Sequence, residues 1–374
     1  MKIIVATDKY KGTFSSREAT HEIAETLRTF LAYLEKDCEI VEKPLADGGE
    51  GTAETLGELM GSFRGELRGM TSRPVVFYVV DDKKGVVIDC SSVLSLTMVP
   101  EEERGRILEA SSFNAGVLIR VIDEVIHPER IYLGVGGTST ADGGAGMLQA
   151  LGARFYTFDR RLIDRPVSPR DKIVDVDFSD IKPMNITALC DVDVPLLPRE
   201  GVAGSSLDFA WQKGMTDENR PEIERFLRSL DFFYPPRENS RSEGAGGGIG
   251  MALSRVMGAE MVDGAQFILE RSGIFEEEPD LIITGEGRLD GQSAMGKLPY
   301  RLATEGRRLG IPVVAIAGEI TSDADLAPYA AAYSASDYLP ELDDSKENRL
   351  LRLKQAAFLN TPEIRELLNR DGAR

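Results

Sequence analysis

The sequence contains few cysteines and very few histidines, and each shortage excludes a class of protein. Its three cysteines, Cys38, Cys90 and Cys190, lie far apart and form no CxxC pair. That spacing argues against a disulfide framework and against a zinc site. There are two histidines. We interpret both as structural, because His21 lies in a predicted helix and His127 precedes a proline at a helix end. A general base would then be a carboxylate or a lysine.

Positive charge is also scarce. Of the 374 residues, 44 are lysine or arginine and 62 are aspartate or glutamate, which gives a net charge of −18. This balance disfavours a nucleic-acid partner, which needs a basic face, and electrostatic docking on an anionic membrane. No apolar run approaches the roughly 20 residues of a membrane span, and no signal-peptide pattern opens the chain. We therefore expect a cytoplasmic protein, acting as a monomer or homodimer.

Short β-branched runs alternate with helical patterns, which predicts an α/β fold. The residues 15–18, Ser-Ser-Arg-Glu, form a capping-box pattern at the start of a predicted first helix. The apolar runs 75–80 and 85–89 flank a short charged segment, 81–84, which predicts a β-hairpin. Strands are expected at residues 3–6, 39–43, 75–80, 85–89, 130–133, 186–190, 281–284 and 313–317.

Two α/β domains are predicted. The antiparallel hairpin after an initial βαβ pattern places a domain boundary near residue 70, and the last two strands resemble the N-terminal pattern. We expect residues 1–69 and 291–374 to form one discontinuous, Rossmann- or flavodoxin-like domain. Residues 70–290 would then be an inserted domain that carries glycine-rich, phosphate-binding loops.

The 37 glycines are concentrated in four loops. Ala46-Asp47-Gly48-Gly49 recurs as Ala141-Asp142-Gly143-Gly144, and the segments 243–250 and 285–291 are also glycine-rich. Glycine lets backbone N–H groups approach a ligand closely, and a helix N-terminus attracts anions. A single such loop is explained by a tight turn, but four together favour phosphate binding. No GxGxxG motif is present, and the GxxxxGK match at 291–297 is interpreted as chance because Leu298 replaces the required Ser or Thr.

Carboxylates follow the predicted strands or lie in these loops. Each alone is equally well explained by a turn or a helix cap. As a set they suit phosphoryl transfer, in which carboxylates hold Mg²⁺ and accept a hydroxyl proton while amides and cations bind phosphate. The candidate carboxylates are Asp8, Asp47, Asp142, Asp191, Asp193 and Asp290, and the candidate cations are Lys11, Lys213, Arg288 and Lys297.

Taken together, these loops resemble the bacterial two-domain glycerate kinases. The motifs that carry the resemblance occur in family order across nearly the whole chain. They are the segments 8–15 (DKYKGTFS), 44–52 (PLADGGEGT), 134–147 (GVGGTSTADGGAGM), 190–197 (CDVDVPLL), 212–214 (QKG) and 283–290 (ITGEGRLD), with Gly296-Lys297.

The resemblance implies ATP- and Mg²⁺-dependent phosphorylation of D-glycerate, usually to 2-phosphoglycerate, in a cleft between two α/β domains. Asp191 is the first choice as proton acceptor, with Asp8 and Asp290 as competitors, and Lys11 and Arg288 would neutralise the substrate carboxylate or the transferred phosphoryl group. Magnesium would be held by one or two of Asp47, Glu50 and Asp193. The residues expected to face glycerate are Asp8, Asp47, Gly48, Gly49 and Glu286. Those expected to bind ATP are Gly136, Gly137, Thr138, Ser139, Asp142, Gly143 and Lys297.

Three departures from the family pattern leave other interpretations open. Lys9 stands where the family usually has Ser, and Ala141 and Val194 stand where it usually has Asn. These changes leave room for a related hydroxy acid as substrate. Phosphorylation at the 3-hydroxyl is a separate alternative, since the two products differ only in how glycerate lies in the cleft. Asp191-Val192-Asp193 after a strand also fits a phosphatase with an aspartyl-phosphate intermediate. A metabolite-binding regulator without catalysis is the remaining alternative.

Overall fold

A computed structural model describes residues 1–33, 37–80, 84–95, 98, 99, 105–360 and 366. The chain divides into two compact units, the first formed by Met1–Asp47 with Ala265–Arg374 and the second by Gly48–Gly264. Both units combine helices with mainly parallel sheets, which confirms the α/β class. Among the described residues, no helix combines the length and apolar character needed to span a membrane.

Fifteen strands and eleven helices are found in the described parts of the chain. The strands are β1 (Lys2–Val5), β2 (Glu39–Glu42), β3 (Phe63–Leu67), β4 (Val75–Val80), β5 (Gly85–Asp89), β6 (Arg130–Gly134), β7 (Arg154–Thr157), β8 (Ile173–Asp177), β9 (Ile186–Cys190), β10 (Glu260–Asp263), β11 (Leu281–Thr284), β12 (Arg288–Leu289), β13 (Val313–Ala317), β14 (Glu319–Ile320) and β15 (Ala331–Ser334). The helices are α1 (Ser16–Tyr33), α2 (Thr52–Leu59), α3 (Ser91–Leu94), α4 (Phe113–Ile126), α5 (Ala145–Ala150), α6 (Ser206–Ala210), α7 (Arg220–Phe233), α8 (Ala245–Met251), α9 (Gly264–Ser272), α10 (Leu298–Leu309) and α11 (Lys346–Leu359).

The first unit is built on a five-stranded parallel sheet in the order β15-β13-β11-β1-β2. The chain moves from β1 outward to β2 and later from β11 outward to β13 and β15, so the direction of winding reverses between β1 and β11. Ligands of such sheets bind beyond the carboxyl ends of the strands at this reversal. The predicted capping box is confirmed, because Ser15 Oγ accepts from Glu18 N at 3.1 Å and Glu18 Oε2 accepts from Ser15 N at 2.8 Å.

The second unit contains a six-stranded sheet in the order β10-β9-β6-β5-β4-β3. Strands β5, β6, β9 and β10 are parallel, whereas β4 runs antiparallel to both of its neighbours, β3 and β5. The predicted hairpin is confirmed by the pairing of Val80 with Gly85, although residues 81–83 of its turn lie outside the described residues. Strand β3 was not predicted. Its pattern is mostly exposed and polar, so it lacks the apolar signal of the central strands.

The boundaries between the units differ from those drawn from the sequence at 69/70 and 290/291. Helix α2 belongs to the second unit, because Asp89 at the end of β5 accepts from Ala53 N at 3.0 Å and caps that helix. Gly57 of the same helix packs against the ring of Tyr78. Strand β11 belongs to the first unit, because Ile282 pairs with Ile4 of β1. The chain therefore passes between units at 47/48 and 264/265.

Candidate functional site

In the first unit, charged residues collect in the loops that follow β1 and β11, at the reversal of the sheet. The two loops are joined by a hydrogen bond from Asp8 N to Gly285 O at 2.8 Å. Gly285 has no space for a side chain, since a Cβ there would lie 2.1 Å from Ile316 O. The glycine therefore allows the loop after β11 to approach its neighbours closely and brings Glu286 to this edge of the sheet.

Lys9 connects two of the predicted carboxylates. Its ammonium group lies 2.6 Å from Asp47 Oδ1 and 3.8 Å from Asp8 Oδ1, and the Lys9 amide donates to Asp8 Oδ1 at 2.7 Å. Burial raises the pKa of Asp8 to about 7, with further increases from Asp47 and Glu286, while Lys9 lowers it. The pKa of Asp8 is thus shifted close to neutrality by burial, and shifts of this kind cluster at functional sites.

A second lysine holds the carboxylates of the loop after β11. Lys297, at the start of α10, donates to Glu286 Oε2 at 3.2 Å and to Asp290 Oδ1 at 3.4 Å. Ser293 Oγ also donates to Glu286 Oε1 at 3.1 Å. Burial raises the pKa of Glu286, and Lys297 opposes that rise. Lys297 was expected to bind an ATP phosphate, but its ammonium group is engaged by two carboxylates of its own unit, which favours a role in ordering this loop.

Two of the candidate cations identified in the sequence, both in the first unit, face solvent. Lys11 follows the buried Tyr10, whose hydroxyl donates to Ile316 O. Arg288 is 59% exposed and lies 3.7 Å from Glu319. Both side chains are therefore accessible to solvent, and their charge-neutralising role stays a prediction.

In the second unit, Asp191 lies against the glycines of two loops. It follows β9, and a Cβ built on Gly136 would lie 2.4 Å from Asp191 Oδ2 and 2.9 Å from Gly49 Cα. The Gly136 amide donates to Gly48 O at 3.1 Å. A Cβ on Gly48 would meet the backbone of Cys190 at 2.9 Å. Only glycines allow this approach, so the loop at 48–49, the loop after β6 and the exposed Asp191 carboxylate are brought together.

Several residues expected to contact ATP are buried instead. Asp142 has no exposed surface, and its oxygens accept from Ser112 N, Ser112 Oγ and Gly146 N at 2.7–3.1 Å. Burial raises the pKa of Asp142, and these hydrogen bonds oppose the rise. It therefore holds the loop in shape. Thr138 and Ser139 are also buried, which leaves Gly137 as the exposed residue of the segment 134–144.

Lys213 is a buried lysine that contacts the same loop. This lysine is 8% exposed and donates to Thr140 O at 2.9 Å and to Thr138 Oγ1 at 3.4 Å. The Thr140 hydroxyl is buried, and the described residues offer it no hydrogen-bond partner. The sequence identified Lys213 as one of four possible cations but did not place it in the site, because its sequence separation from the loop gives no sign of their contact.

The glycine segment 243–250 packs against the loop at 134–144. Gly246, Gly247 and Gly248 have φ values of 61°, 72° and 95°, which other residues rarely adopt. Gly143 N donates to Gly247 O at 3.0 Å, and a Cβ on Gly247 would lie 1.9 Å from Thr140 O. The first turn of α8 is therefore a left-handed glycine turn packed against the segment 134–144.

The predicted magnesium ligands differ in their availability. Asp193 accepts from Arg241 Nη2 at 2.8 Å and from Ser242 N at 2.8 Å, so both carboxylate oxygens already have donors. Asp47 is engaged by Lys9, as described above. Glu50 is exposed, and its Cβ would lie 3.4 Å from a Cβ on Gly137. Glu50 therefore fits an oxygen ligand of Mg²⁺ better than Asp193 or Asp47.

One further group of metal-type side chains is found in the part of the chain that the structure describes. It consists of His21, Glu25 and Glu42 on the surface of the first unit. Arg28 donates to both glutamates at 2.6 Å. The group is thus an ion-pair cluster, in which His21 Nδ1 lies 3.1 Å from Glu42 Oε2.

Comparisons with known proteins find chains of similar sequence and fold. The chain is 34% identical to the glycerate kinase of Bacillus cereus over 86% of each chain. It is 30% identical to the glycerate 2-kinase of Escherichia coli K12, again over 86% of each chain. A crystal structure from Salmonella typhimurium LT2, described provisionally as glycerate kinase 2, is similar with a TM-score of 0.72 and 28% identity over 98% of both chains.

The fold, the loops and these relatives define an enzyme of the kinase class. A family model described as the glycerate kinase family matches residues 3–358, and the chain belongs to that family. The resemblance inferred from the sequence is thereby confirmed. The phosphatase and regulator alternatives are not supported, and the pairing of Asp193 with Arg241 also removes the free acid that the phosphatase interpretation required.

Proposed function

We propose that the protein transfers the γ-phosphoryl group of ATP to the 2-hydroxyl of D-glycerate, giving 2-phosphoglycerate and ADP. The observation that carries the proposal is the position of Asp191, exposed and held against Gly136 and Gly48. The name of the Escherichia coli relative supports the choice of hydroxyl. Because ATP is the donor, we expect the reaction to occur in the cytoplasm, with the protein acting as a monomer or homodimer.

Asp191 is proposed as the proton acceptor. The glycerate oxygen forms a bond to the γ-phosphorus, the bond from that phosphorus to the bridging oxygen breaks, and the hydroxyl proton passes to the Asp191 carboxylate. ADP leaves with the bridging oxygen. A carboxylate suits this role because the acceptor must lie within hydrogen-bond reach of a substrate hydroxyl, and the close packing against Gly136 restricts where this one can point. Asp8, with its pKa near 7, remains the competing base.

The glycine loops are proposed to bind the phosphates of ATP through backbone amides. The exposed Gly137 is accessible for this purpose. Lys213 contacts the same loop through the Thr140 carbonyl, and the Thr140 hydroxyl has no hydrogen-bond partner among the described residues. Asp142 and Gly143 would act by shaping it. Preorganised donors of this kind stabilise charge that develops in the transition state.

The first unit is proposed to supply charge for glycerate and the phosphoryl group. Lys11 and Arg288 are exposed cations of its loops, and Asp8, Asp47 and Glu286 would bind the hydroxyl groups. Glu50 is the carboxylate best suited to hold Mg²⁺, which when bound neutralises part of the charge on the phosphates. Gly48 and Gly49 keep Glu50 and Asp191 beside the same loop.

A coupled assay of ADP release tests the proposal. With ATP, Mg²⁺ and D-glycerate we expect a glycerate-dependent rate, and ³¹P–¹H coupling in the product should identify phosphorylation at the 2-hydroxyl. L-glycerate, tartronate and glycerol serve as alternative acceptors, since Lys9, Ala141 and Val194 are the positions where substrate choice could differ. Coupling to the 3-methylene protons would overturn the product assignment, and silence with every acceptor would overturn the kinase proposal.

A further inference from the structure

The second unit contains a cavity that the proposed reaction does not use. Its volume is about 310 Å³, and it is lined by Arg199, Pro236, Arg237, Asn239, Ser240, Glu243 and Arg255. Ligand pockets span roughly 300–1,000 Å³, so this cavity suits a small molecule. None of these residues belongs to the site proposed above.

Two of the three arginines are fixed in place by the protein. Arg255, 9% exposed, donates through Nε to Glu243 Oε1 at 2.6 Å and through Nη2 to Oε2 at 2.9 Å, and its Nη1 lies 2.9 Å from Asp231. Arg237 donates through Nη1 to Ser254 O at 2.6 Å and to Ala259 O at 3.2 Å. The arginine side chains are thus oriented before any ligand arrives, which lowers the entropy cost of binding.

Hydrogen-bond donors remain available in the cavity. Arg199 is 56% exposed and uses Nη2 for its contact with Glu243 at 2.9 Å. Within the described residues, the Nε and Nη1 groups of Arg199 and the Nε and Nη2 groups of Arg237 have no other protein partner. Guanidinium groups with two free N–H donors match the oxygens of a phosphate group.

The charge of the lining residues also favours an anion. The lining contains three guanidinium groups and one carboxylate, Glu243, which gives it a net charge of +2 in a chain whose net charge is −18. Asp231, outside the lining, pairs with Arg255 and offsets part of this charge. Glu243 is buried. Burial alone would raise its pKa, but Arg255 and Arg199 hold it below the usual value. The carboxylate is therefore ionised and already committed to the arginines, so it does not repel a further anion with its full charge.

We propose that this arginine pocket binds a small phosphate-bearing anion, with Arg199 and Arg237 supplying the donors. Glu243 keeps Arg255 in position at its base and precedes the glycine segment that supports the loop at 134–144; its carbonyl accepts from Met251 N at 3.0 Å. The pocket therefore lies in the same unit as the proposed phosphate loops but uses different residues. This proposal does not depend on the identity of the kinase substrate.

Thermal unfolding of the full-length protein tests the pocket. Phosphate replaces chloride at constant ionic strength, and the variants are Arg199→Gln, Arg237→Gln and, as a control, Arg228→Gln. Arg228 is an equally exposed arginine of the same unit, paired with Glu224 away from the cavity. We expect phosphate to raise Tm in the wild type and in the control, and its apparent affinity to fall at least about tenfold in Arg199→Gln and Arg237→Gln, the equivalent of one lost charged contact.

Phosphate bound at the catalytic loops does not confuse this result, because that contribution is common to all four proteins. Each variant should also keep the wild-type rate of glycerate-dependent ADP release, which shows that it is folded. Arg199→Gln keeps the proposal testable if removal of the Arg237 contacts to Ser254 and Ala259 prevents folding. Equal phosphate-dependent shifts in all four proteins would overturn the proposal.

Parallel titrations with 2-phosphoglycerate and ADP distinguish the source of the phosphate group. An arginine-dependent shift with phosphate or with 2-phosphoglycerate supports a small anion, and the tighter of the two identifies the ligand. If ADP produces the arginine-dependent shift at a lower concentration than both, the size argument is wrong and the small-anion proposal fails.

Discussion

The Lys9 ammonium group lies 2.6 Å from Asp47 Oδ1 and also 3.8 Å from Asp8 Oδ1. A lysine side chain therefore serves as the positive charge between two carboxylates that follow neighbouring parallel strands. All three side chains are largely buried, with 20% of Lys9, 24% of Asp47 and 6% of Asp8 exposed. Without the lysine, the two negative groups would face each other in an environment where charge is costly.

Replacement of this lysine should lower both stability and activity. In Lys9→Met the loss of a charged hydrogen bond should cost about 1.5–3 kcal/mol of the free energy of unfolding, and the pKa of Asp8 should rise because Lys9 no longer lowers it. Urea unfolding and the pH dependence of kcat measure the two effects. The control is Lys346→Met. Lys346 pairs with Glu18 at the surface, where both side chains are at least half exposed, and this pair should contribute less than about 1 kcal/mol. A Lys9→Met protein no less stable than the control would contradict the prediction.

Asp8 should make the protein less stable as the pH rises towards neutrality. Its pKa is about 7 in the folded protein against 3.8 for the ordinary group. Between these values the folded state keeps a proton that the unfolded chain releases, so stability falls with rising pH, and the loss is complete above about pH 7. The Asp8→Asn variant has no titrating group at position 8. Its free energy of unfolding, relative to that of the wild type, should therefore increase between pH 5 and pH 8.

Asp325→Asn provides the control for this pH dependence. A hydrogen bond from Tyr300 lowers the pKa of Asp325, so the group is ionised in both states throughout pH 5–8. The stability difference between Asp325→Asn and wild type should therefore stay constant over that range. A constant difference for Asp8→Asn as well would show that Asp8 does not retain its proton.

Asp191→Asn should remove most of the activity while leaving the fold intact. Proton acceptance by a positioned side chain contributes typically 10²–10⁴-fold to a rate, so kcat should fall by at least about a hundredfold with little change in KM. Steady-state kinetics and thermal unfolding measure the outcome. Asp193→Asn is the matched comparison, because loss of the Arg241 contact should lower Tm and reduce kcat less. Near-normal kcat in Asp191→Asn would transfer the role of base to Asp8 or Asp290.

The substitution Gly136→Ala should displace the Asp191 carboxylate while leaving residue 191 itself unchanged. An added Cβ would lie 2.4 Å from Asp191 Oδ2, closer than atoms can approach, so the carboxylate must move. We expect a fall in kcat of about tenfold or more, since small displacements of reacting groups are costly. Gly105→Ala is the control, because nothing lies within 4 Å of its added Cβ, and its kcat should remain at the wild-type value.

The central strands could be predicted from the sequence because their residues are apolar and β-branched. Strands β5, β9 and β13 are fully buried. Short hydrophobic runs of this kind are typical of buried strands. Strands β3 and β8 were missed. Both are exposed on much of their length, and β8 carries alternating aspartates. Their pairing depends on a neighbouring strand rather than on their own composition.

The candidate site could be predicted as a set of loops but not as a set of contacts. Asp142 and Asp47 occur in the same four-residue repeat, yet one is fully buried and caps backbone amides while the other holds Lys9. Lys297 was assigned to phosphate but is engaged by Glu286 and Asp290. Such partners come from distant parts of the chain, and residue type alone does not specify them.

The pairing of β1 with β11 also determines when the first unit can form. Ile3 pairs with Leu281, so the centre of that sheet needs two segments separated by the entire second unit. During synthesis the N-terminal segment must wait on the ribosome until the last quarter of the chain emerges, whereas residues 48–264 are contiguous and can fold earlier. Closing so large a loop is entropically costly and slow. The central sheet of the first unit can therefore be completed only after residues 48–264 have been synthesised.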